Sequence, residues 1–154
     1  DKQPALGATE EMIASAEAEL GIRFPKELRE AWKLYNCNEL NGGWRIFPVF
    51  DHANPRKTCG SVTYENSKGV WGRAVMAEGL VSITDNGTGD QLVLEVVCGQ
   101  AKDQVFLRHH EKSTLSTWKP GMASILAATT KCREGVLRVQ QNFGKRTGAT
   151  FKSN

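Results

Sequence analysis

The chain of 154 residues, with 40% hydrophobic and 24% charged residues, has the composition of a single soluble globular domain. Its apolar runs are far shorter than the ~18 residues of a membrane helix, so we expect no membrane-spanning segment and no membrane partner. The net charge is +3, but residues 131–154 hold six basic residues and one acid, which leaves −2 for residues 1–130 and argues against nucleic acid as the partner of that larger part.

The first elements along the chain predict a hairpin of two helices. Thr9 has the side chain of a good N-cap, and the apolar stripe that follows it ends at Gly21. Pro25 suits the first turn of a second helix, whose apolar positions recur at helical spacing until about Asn36. The link at residues 20–25 joins the two predicted helices.

The middle of the chain predicts strands. Residues 44–50 indicate a strand with an edge or a break at Pro48, whereas residues 51–79 show no clear period and predict no element. Residues 80–84 and 91–97 are rich in β-branched residues and flank a loop that contains Asn-Gly and a second Gly. This pattern predicts two antiparallel strands joined by a tight turn. The second strand is apolar on nearly both faces and should be central in its sheet.

The remaining elements complete an α+β pattern. Residues 105–110 alternate in polarity and predict a half-buried strand, and Pro120 opens a third helix with apolar positions from Met122 to Thr129. The order predicts an α+β fold with a central antiparallel sheet, an N-terminal helical hairpin and a C-terminal helix. We expect residues 1–130 to form this domain, and the basic tail at 131–154 to form a short helix, fraying near Gly144, before a disordered end.

The loop at residues 85–90 has glycines like those of a phosphate loop and acids like those of a calcium loop. A phosphate loop leads into a helix, whereas this loop leads into a strand, and Asp85 and Asp90 would repel phosphate. A calcium loop of the EF-hand type needs oxygen donors where Gly87 and Gly89 stand. We therefore interpret these glycines as turn residues and expect no cofactor.

The run of His109, His110 and Glu111 is the candidate for metal chemistry. Neighbouring strand residues point to opposite faces, so His109 and Glu111 share a face and could bind one ion together with Asp90. His110 points to the other face and could not bind the same ion as His109. A metal-dependent enzyme that uses His109, Glu111 and Asp90 is therefore one alternative. The simpler interpretation is a core-facing His109 hydrogen-bonded to a carboxylate, and the sequence contains no nucleophile elbow and no H-E-x-x-H pair.

Exposed aromatic residues beside acids are typical of a protein-binding surface, because nucleic acid requires a basic surround. Two tryptophans in glycine-flanked segments are candidate anchors, and four acids are candidate contacts for a basic partner. The predicted partner-binding residues are Trp44, Asp51, Glu65, Trp71, Asp90 and Glu95. The basic tail alone could give weak, salt-sensitive binding of nucleic acid, although a solvated terminus is the simpler interpretation.

The four cysteines do not form a C-x-x-C pair, and a domain of this size does not need disulfide bonds for its stability. We therefore expect free thiols in a cytoplasmic protein. The cysteines are Cys37, Cys59, Cys98 and Cys132.

Several short motifs follow one another in an order that resembles a known superfamily. The motifs are Glu17-x-x-Leu20-Gly21-Ile22-x-Phe24-Pro25, Asn41-Gly42-Gly43, Asn86-Gly87-Thr88-Gly89-Asp90 and Val105-Phe106-x-x-His109-x-Glu111, followed by a closing helix. From about Thr9 to Thr130, this ordered set resembles the SUKH superfamily, in the branch named after a fungal cell-wall assembly regulator.

The resemblance implies an α+β fold with a central antiparallel sheet and a protein that is not an enzyme. Bacterial proteins of this kind are mostly immunity proteins, which bind and block a cognate toxin, often a nuclease, from polymorphic or contact-dependent toxin systems. The implied partner is thus a cognate protein toxin with a basic nuclease domain. The alternative that the resemblance leaves open is a regulatory protein-interaction module of the fungal type.

Overall fold

The computed structural model describes residues 6–36, 38–40, 42–112 and 114–152, and these form an α+β fold. Its helices are α1 (Glu10–Leu20), α2 (Lys26–Leu34), α3 (Val62–Ser67), α4 (Val70–Ala77) and α5 (Gly121–Lys152). Its strands are β1 (Asn38–Leu40), β2 (Trp44–Ile46), β3 (Leu80–Asp85), β4 (Gln91–Val97), β5 (Gln100–Ala101), β6 (Phe106–His109) and β7 (Thr114–Thr117). The strands form one antiparallel sheet in the order β1-β2-β3-β4-β6-β7, with β5 paired to β4. The predicted fold class is confirmed.

The N-terminal helices form as the sequence predicts. Thr9 caps α1 through its side chain, and Gly21 ends the helix in the left-handed region at φ +70°. The buried Glu17 carboxylate fastens the link to α2, because its Oε2 accepts hydrogen bonds from Phe24 N at 2.8 Å and from Arg29 Nε at 3.1 Å. The predicted helical hairpin is therefore confirmed.

Strand β4 is central, as predicted, and it buries both of its faces. Leu92 and Leu94 belong to the main core, to which α1, α2 and α5 contribute side chains. Val93 points the other way and packs with Val75 of α4 and Leu80 of β3. The sheet is therefore covered on both faces, which explains why β4 lacks the polar alternation of a half-exposed strand.

The sequence predicts one strand too long and misses three others. The strand expected at residues 44–50 ends at Ile46, although Phe47 N still donates a hydrogen bond to Ile83 O at 3.0 Å. The missed strands β1, β5 and β7 contain three, two and four residues. Runs this short do not display a period of two, so pairing with neighbours decides their conformation.

Helices α3 and α4 lie in residues 51–79, where the sequence predicts no element. Two glycines obscure their helical pattern, and the packing of the helices requires both of them. A Cβ on Gly72 would lie 1.8 Å from Glu65 O, and a Cβ on Gly69 would lie 2.6 Å from the same oxygen. Only glycine therefore permits this close approach of α3 and α4.

Two buried asparagine side chains act as substitutes for strand partners. The Asn66 amide donates to Ser82 O and accepts from Ser82 N, both at 2.8 Å, where β2 no longer pairs with β3. Asn36 forms the same two bonds with Val49 O and N, again at 2.8 Å. Each amide thus satisfies a donor and an acceptor of buried backbone.

Helix α5 is longer than the sequence predicts. It runs without interruption from Gly121 to Lys152 and continues past Gly144, where the sequence predicts fraying. A single glycine costs a helix only about 1 kcal/mol relative to alanine, which does not suffice to end it. The domain boundary at residue 130 and the disordered end of the tail stay predictions. In the part of the chain that the structure describes, no helix is both long and apolar enough to cross a membrane.

Candidate functional site

Antiparallel pairing brings three tight turns to one edge of the sheet. Arg45 of β2 pairs with Asp85 of β3, so the turn before β2 lies beside the loop that follows β3. The pairing of β4 with β6 adds the turn that follows β6. We call this edge, formed by residues 42–43, 86–90 and 110–112, the loop edge.

The β3–β4 loop is a hairpin turn held by its own side chains. Asn86 Oδ1 accepts hydrogen bonds from Thr88 N at 3.0 Å and from Thr88 Oγ1 at 2.7 Å. Gly87 and Gly89 have φ values of +83° and +97°, which residues with a Cβ rarely adopt. The interpretation of these glycines as turn residues is confirmed.

Asp90, His110 and Trp71 form a contiguous group at the loop edge, which we call the Trp71 cluster. Asp90 Oδ1 accepts a hydrogen bond from His110 N at 3.1 Å and lies 3.1 Å from His110 Nδ1. The Trp71 ring packs edge-on against the His110 ring, with centroids 5.1 Å apart. A Cβ on Gly89 would lie 2.8 Å from His110 Nδ1, so the loop glycine also makes room for the imidazole.

Two of the six predicted partner-binding residues, Trp71 and Asp90, therefore belong to one cluster. His110, which the sequence proposes neither as a partner-binding residue nor as a metal ligand, lies between them. Trp71 comes from α4 and Asp90 from the end of the β3–β4 loop, and His110 connects the two. The sequence places His110 on the strand face opposite His109, but the helix that covers this face is not predicted. The connection of Trp71 to Asp90 through His110 therefore could not be predicted from a sequence analysis that missed α4.

The remaining predicted residues lie apart from the cluster. Trp44 is half-buried, and its buried side packs against the main core. The Asp51 carboxylate closes a local turn by accepting a hydrogen bond from Asn54 Nδ2 at 3.0 Å. Glu95 is exposed near the far end of β4, and the Glu65 carboxylate is held inward in an ion pair. Their part in binding a partner stays a prediction.

A row of polar side chains crosses the sheet beside the Trp71 cluster. Strand register aligns one residue from each of four adjacent strands, namely Arg45, Asp85, Gln91 and Arg108. Glu65 of α3 lies 3.4 Å from Arg45, and Glu78, which follows α4, lies 2.8 Å from Arg108. Burial raises the pKa of the Glu65 carboxyl, whereas the hydrogen bond from Arg108 lowers the pKa of Glu78. These ion pairs connect α3 and the residue that follows α4 to the sheet.

The contact between Asp90 and His110 has a measurable consequence. The hydrogen bond from His110 holds the pKa of the Asp90 carboxyl below its ordinary value of 3.8. Folding lowers this pKa, so ionised Asp90 stabilises the fold above pH 3.8, and the contribution is lost as the pH falls through the lower folded-state pKa. We expect an NMR titration to place the Asp90 midpoint below 3.8.

Two alanine variants distinguish the effect of His110 on the Asp90 pKa from the effect of His109. His110→Ala should raise the Asp90 midpoint, because the variant loses the side-chain hydrogen bond. His109→Ala should raise it less, since His109 Nδ1 lies 3.8 Å from Asp90 Oδ2 and forms only a partly exposed ion pair. A midpoint that is insensitive to His110→Ala would contradict the geometry.

The geometry does not support the metal hypothesis for His109, Glu111 and Asp90. β6 ends at His109, so Glu111 lies in the following turn and does not share a strand face with it. Within the described residues, no group of three or more His, Cys, Asp or Glu side chains is arranged to hold a metal ion. The expectation of a core-facing His109 is also wrong, because His109 is partly exposed and His110 makes the hydrogen bond to the carboxylate.

The cysteines offer no crosslink in the part of the chain that the structure describes. Cys59 and Cys98 are exposed and free, and Cys132 is half-buried and free. Cys37 lies outside the described residues.

Comparison with known proteins identifies the family of the chain. A comparison with curated proteins gives no match. The family model described as the SMI1 / KNR4 family (SUKH-1) matches residues 7–121, which contain α1 to α4, the whole sheet and the loop edge. The match spans 115 of the 154 residues and ends where α5 begins. The chain therefore belongs to the SMI1 / KNR4 family (SUKH-1).

Proposed function

We propose that this chain is an immunity protein, which binds a cognate bacterial toxin and neutralises it by stoichiometric protein–protein interaction. The toxin's active part is a basic nuclease domain, and the interaction takes place in the cytoplasm. Family membership supports a protein-binding role. The observation that carries the proposal is the Trp71 cluster. In it, the half-exposed Trp71 ring packs against His110, and His110 contacts the Asp90 carboxylate.

The Trp71 cluster has the properties of an interface hot spot. Tryptophan is among the residues most enriched at positions that dominate binding energy. Trp71 is 47% exposed, so a partner can cover much of its surface. Its ring already rests against His110, which Asp90 holds. Binding therefore costs less side-chain entropy than the immobilisation of a free tryptophan would.

The charge around the cluster favours a basic partner. Asp90 lies at the loop edge, and Asp85, which is ion-paired with Arg45, directly precedes it; both carboxylates are partly exposed, and residues 1–130 carry a net charge of −2. Opposite charges on two partners accelerate their encounter, and salt weakens this effect. A basic nuclease domain has the surface charge that such an edge would attract.

Co-expression with the toxin encoded beside this gene tests the proposal. We expect the chain to restore growth of cells that make the active toxin. Failure of rescue at matched expression would contradict the proposal, as would the absence of any toxin-like reading frame next to the gene.

Trp71→Ala should weaken toxin binding by about 2 kcal/mol or more, which corresponds to a factor of about 30 in Kd. The variant should keep its thermal stability within about 0.5 kcal/mol, since half-exposed side chains away from the core contribute little to folding. Isothermal titration with a catalytically inactive toxin domain measures the affinity, and circular dichroism measures the stability.

Tyr64→Ala is the matched control, because Tyr64 is 49% exposed and borders a groove between α1 and α3 rather than the loop edge. Its toxin affinity should equal that of the wild type. If the two variants bind toxin equally well, the Trp71 cluster is not the binding site.

A further inference from the structure

Strand β7 forms one end of the sheet, and its outer side is open. The sheet order ends in β6-β7, and within the described residues no strand pairs with the other side of β7. All four residues of the strand, Thr114–Thr117, are exposed. At the opposite end of the sheet, α5 packs against β1. The fold therefore covers one edge of its sheet and leaves the other accessible to a further strand.

The hydrogen bond that follows β7 shows which of its backbone groups point outward. Trp118 N donates to Val105 O at 2.9 Å, and the register of β6 with β7 places these two residues directly opposite each other. Because bonded and non-bonded pairs alternate along an antiparallel ladder, Ser116 bonds to β6 whereas Leu115 and Thr117 do not. The N–H and C=O groups of Leu115 and Thr117 therefore point to the open side of the sheet.

The side chains of β7 do not protect this edge. Natural edge strands discourage further pairing through charged side chains, proline or a bulge. The four residues of β7 include neither a charge nor a proline, and their register with β6 is regular. The nearest charges lie beyond the strand, at Glu111 and Lys112 before it and at Lys119 after it. The strand itself therefore carries nothing that repels a copy of itself.

We propose that β7 pairs antiparallel with β7 of a second copy of this chain, about a twofold axis at Leu115. In this register the outward N–H and C=O of Leu115 bond to the same groups of Leu115 in the second copy. The Leu115 side chain, which is 44% exposed, then meets an identical apolar side chain. Thr114 lies opposite Ser116 of the second copy, and two hydroxyl side chains form a favourable cross-strand pair. Apolar meets apolar and hydroxyl meets hydroxyl, and this match of the strand with itself supports a second copy as the occupant.

No other element of the fold obstructs the pairing on either face of β7. Leu115 lies on the α4 side of the sheet, since its register partner Arg108 forms an ion pair with Glu78, which follows α4. Even there the strand is not covered, because Leu115 is exposed. Thr114 and Ser116 point to the other face and are exposed as well. A second sheet can therefore continue the first one without displacing a helix.

The dimer should be weak, because the contact is small. One strand of four residues contributes few hydrogen bonds, and the buried area should lie below the roughly 1,200 Å² at which standard stable interfaces begin. At each end, Glu111 and Lys112 of one copy approach Lys119 of the other, so attraction and repulsion nearly cancel. We expect a Kd on the order of 0.1 mM.

Sedimentation equilibrium of the full chain without toxin tests the proposal. The mean mass should equal the monomer mass of 17.0 kDa at about 1 μM and rise toward twice that value near about 1 mM. Hydrogen exchange gives a local readout. The outward Leu115 amide should exchange about fivefold more slowly near about 1 mM, where about a fifth of the chains would be monomeric at the expected Kd. The Ser116 amide, already bonded to β6, should change less.

Leu115→Lys and Leu115→Glu should each weaken self-association by about tenfold or more, because either variant places two like charges opposite each other at the twofold axis. An equimolar mixture of the two variants should associate again, since unlike charges then meet. This rescue requires Leu115 to face itself. Val97→Lys is the matched control, because Val97 is 50% exposed but its backbone is already paired with Gln100 of β5. The control should associate as the wild type does.

Three outcomes would overturn the proposal. The first is a monomer mass that persists to about 1 mM, and the second is a dimer that both Leu115 variants leave intact. The third is saturable binding of a capped peptide of alternating Thr and Val to a chain that stays monomeric, which would assign the edge to a strand of another protein. Because these measurements need no toxin, their outcome does not depend on the immunity proposal.

Discussion

Gly72→Ala is expected to destabilise the fold by about 3 kcal/mol, at the upper end of the usual cost of overpacking. The new Cβ would lie 1.8 Å from Glu65 O and 2.6 Å from Glu65 C, and these backbone atoms cannot rotate away. Helices α3 and α4 would have to separate, which would also disturb the ion pair between Glu65 and Arg45. Urea denaturation monitored by circular dichroism measures the change in the free energy of unfolding.

Gly135→Ala is the matched control for this substitution, because Gly135 is also inside a helix but has open space around its Cα. Alanine there should stabilise the fold by about 0.5–1 kcal/mol, since glycine is the poorer helix former. Opposite signs for the two variants would confirm the close approach of α3 and α4. An equal effect of both variants would contradict it.

Asn66→Ala is expected to cost about 2–6 kcal/mol, because it leaves Ser82 N and Ser82 O without partners in the core, at about 1–3 kcal/mol for each buried group. The Asn66 side chain is almost fully buried, so water does not replace the lost hydrogen bonds. Urea denaturation measures the loss. Hydrogen exchange at the Ser82 amide should accelerate by more than global destabilisation alone explains, because the lost bond is local to it.

Asn142→Ala serves as the control, because Asn142 is exposed on α5. Its stability should stay within about 0.5 kcal/mol of the wild type. A comparable loss in both variants would mean that the Asn66 amide does not replace a strand partner.

The parts of the fold that depend on local signals could be predicted from the sequence. Thr9 and Gly21 mark the ends of α1 through capping chemistry that needs no distant contact. The turn at Asn86-Gly87 is equally local, because its side chains bond within the loop. The sheet around β4 followed from such signals.

The missed elements depend on contacts between distant residues. In the sequence, Gly69 and Gly72 weaken the helical pattern. In the structure, α4 can pack against Glu65 of α3 only because these two residues lack a Cβ. Gly144 likewise reads as the end of a helix, although α5 continues beyond it. A residue that weakens a local pattern can therefore be the residue that tertiary packing demands.

The candidate site shows the same division between local and distant signals. Trp71 and Asp90 could be proposed from residue type and flanking glycines alone. Their connection through His110 could not, because it requires the position of α4 on the sheet. Trp44, the other glycine-flanked tryptophan, is half-buried and packs against the main core at the start of β2, and its part in binding stays a prediction.

Titration of the toxin's nuclease activity with the purified chain tests the central claim most directly. If the chain neutralises its toxin by one-to-one binding, activity should fall linearly and reach zero at one equivalent when the toxin concentration lies far above Kd. Trp71→Ala should need a large excess to reach the same inhibition. Complete inhibition well below one equivalent would indicate catalytic inactivation, and full nuclease activity at excess chain would show that the two proteins do not interact. Either result would contradict stoichiometric immunity.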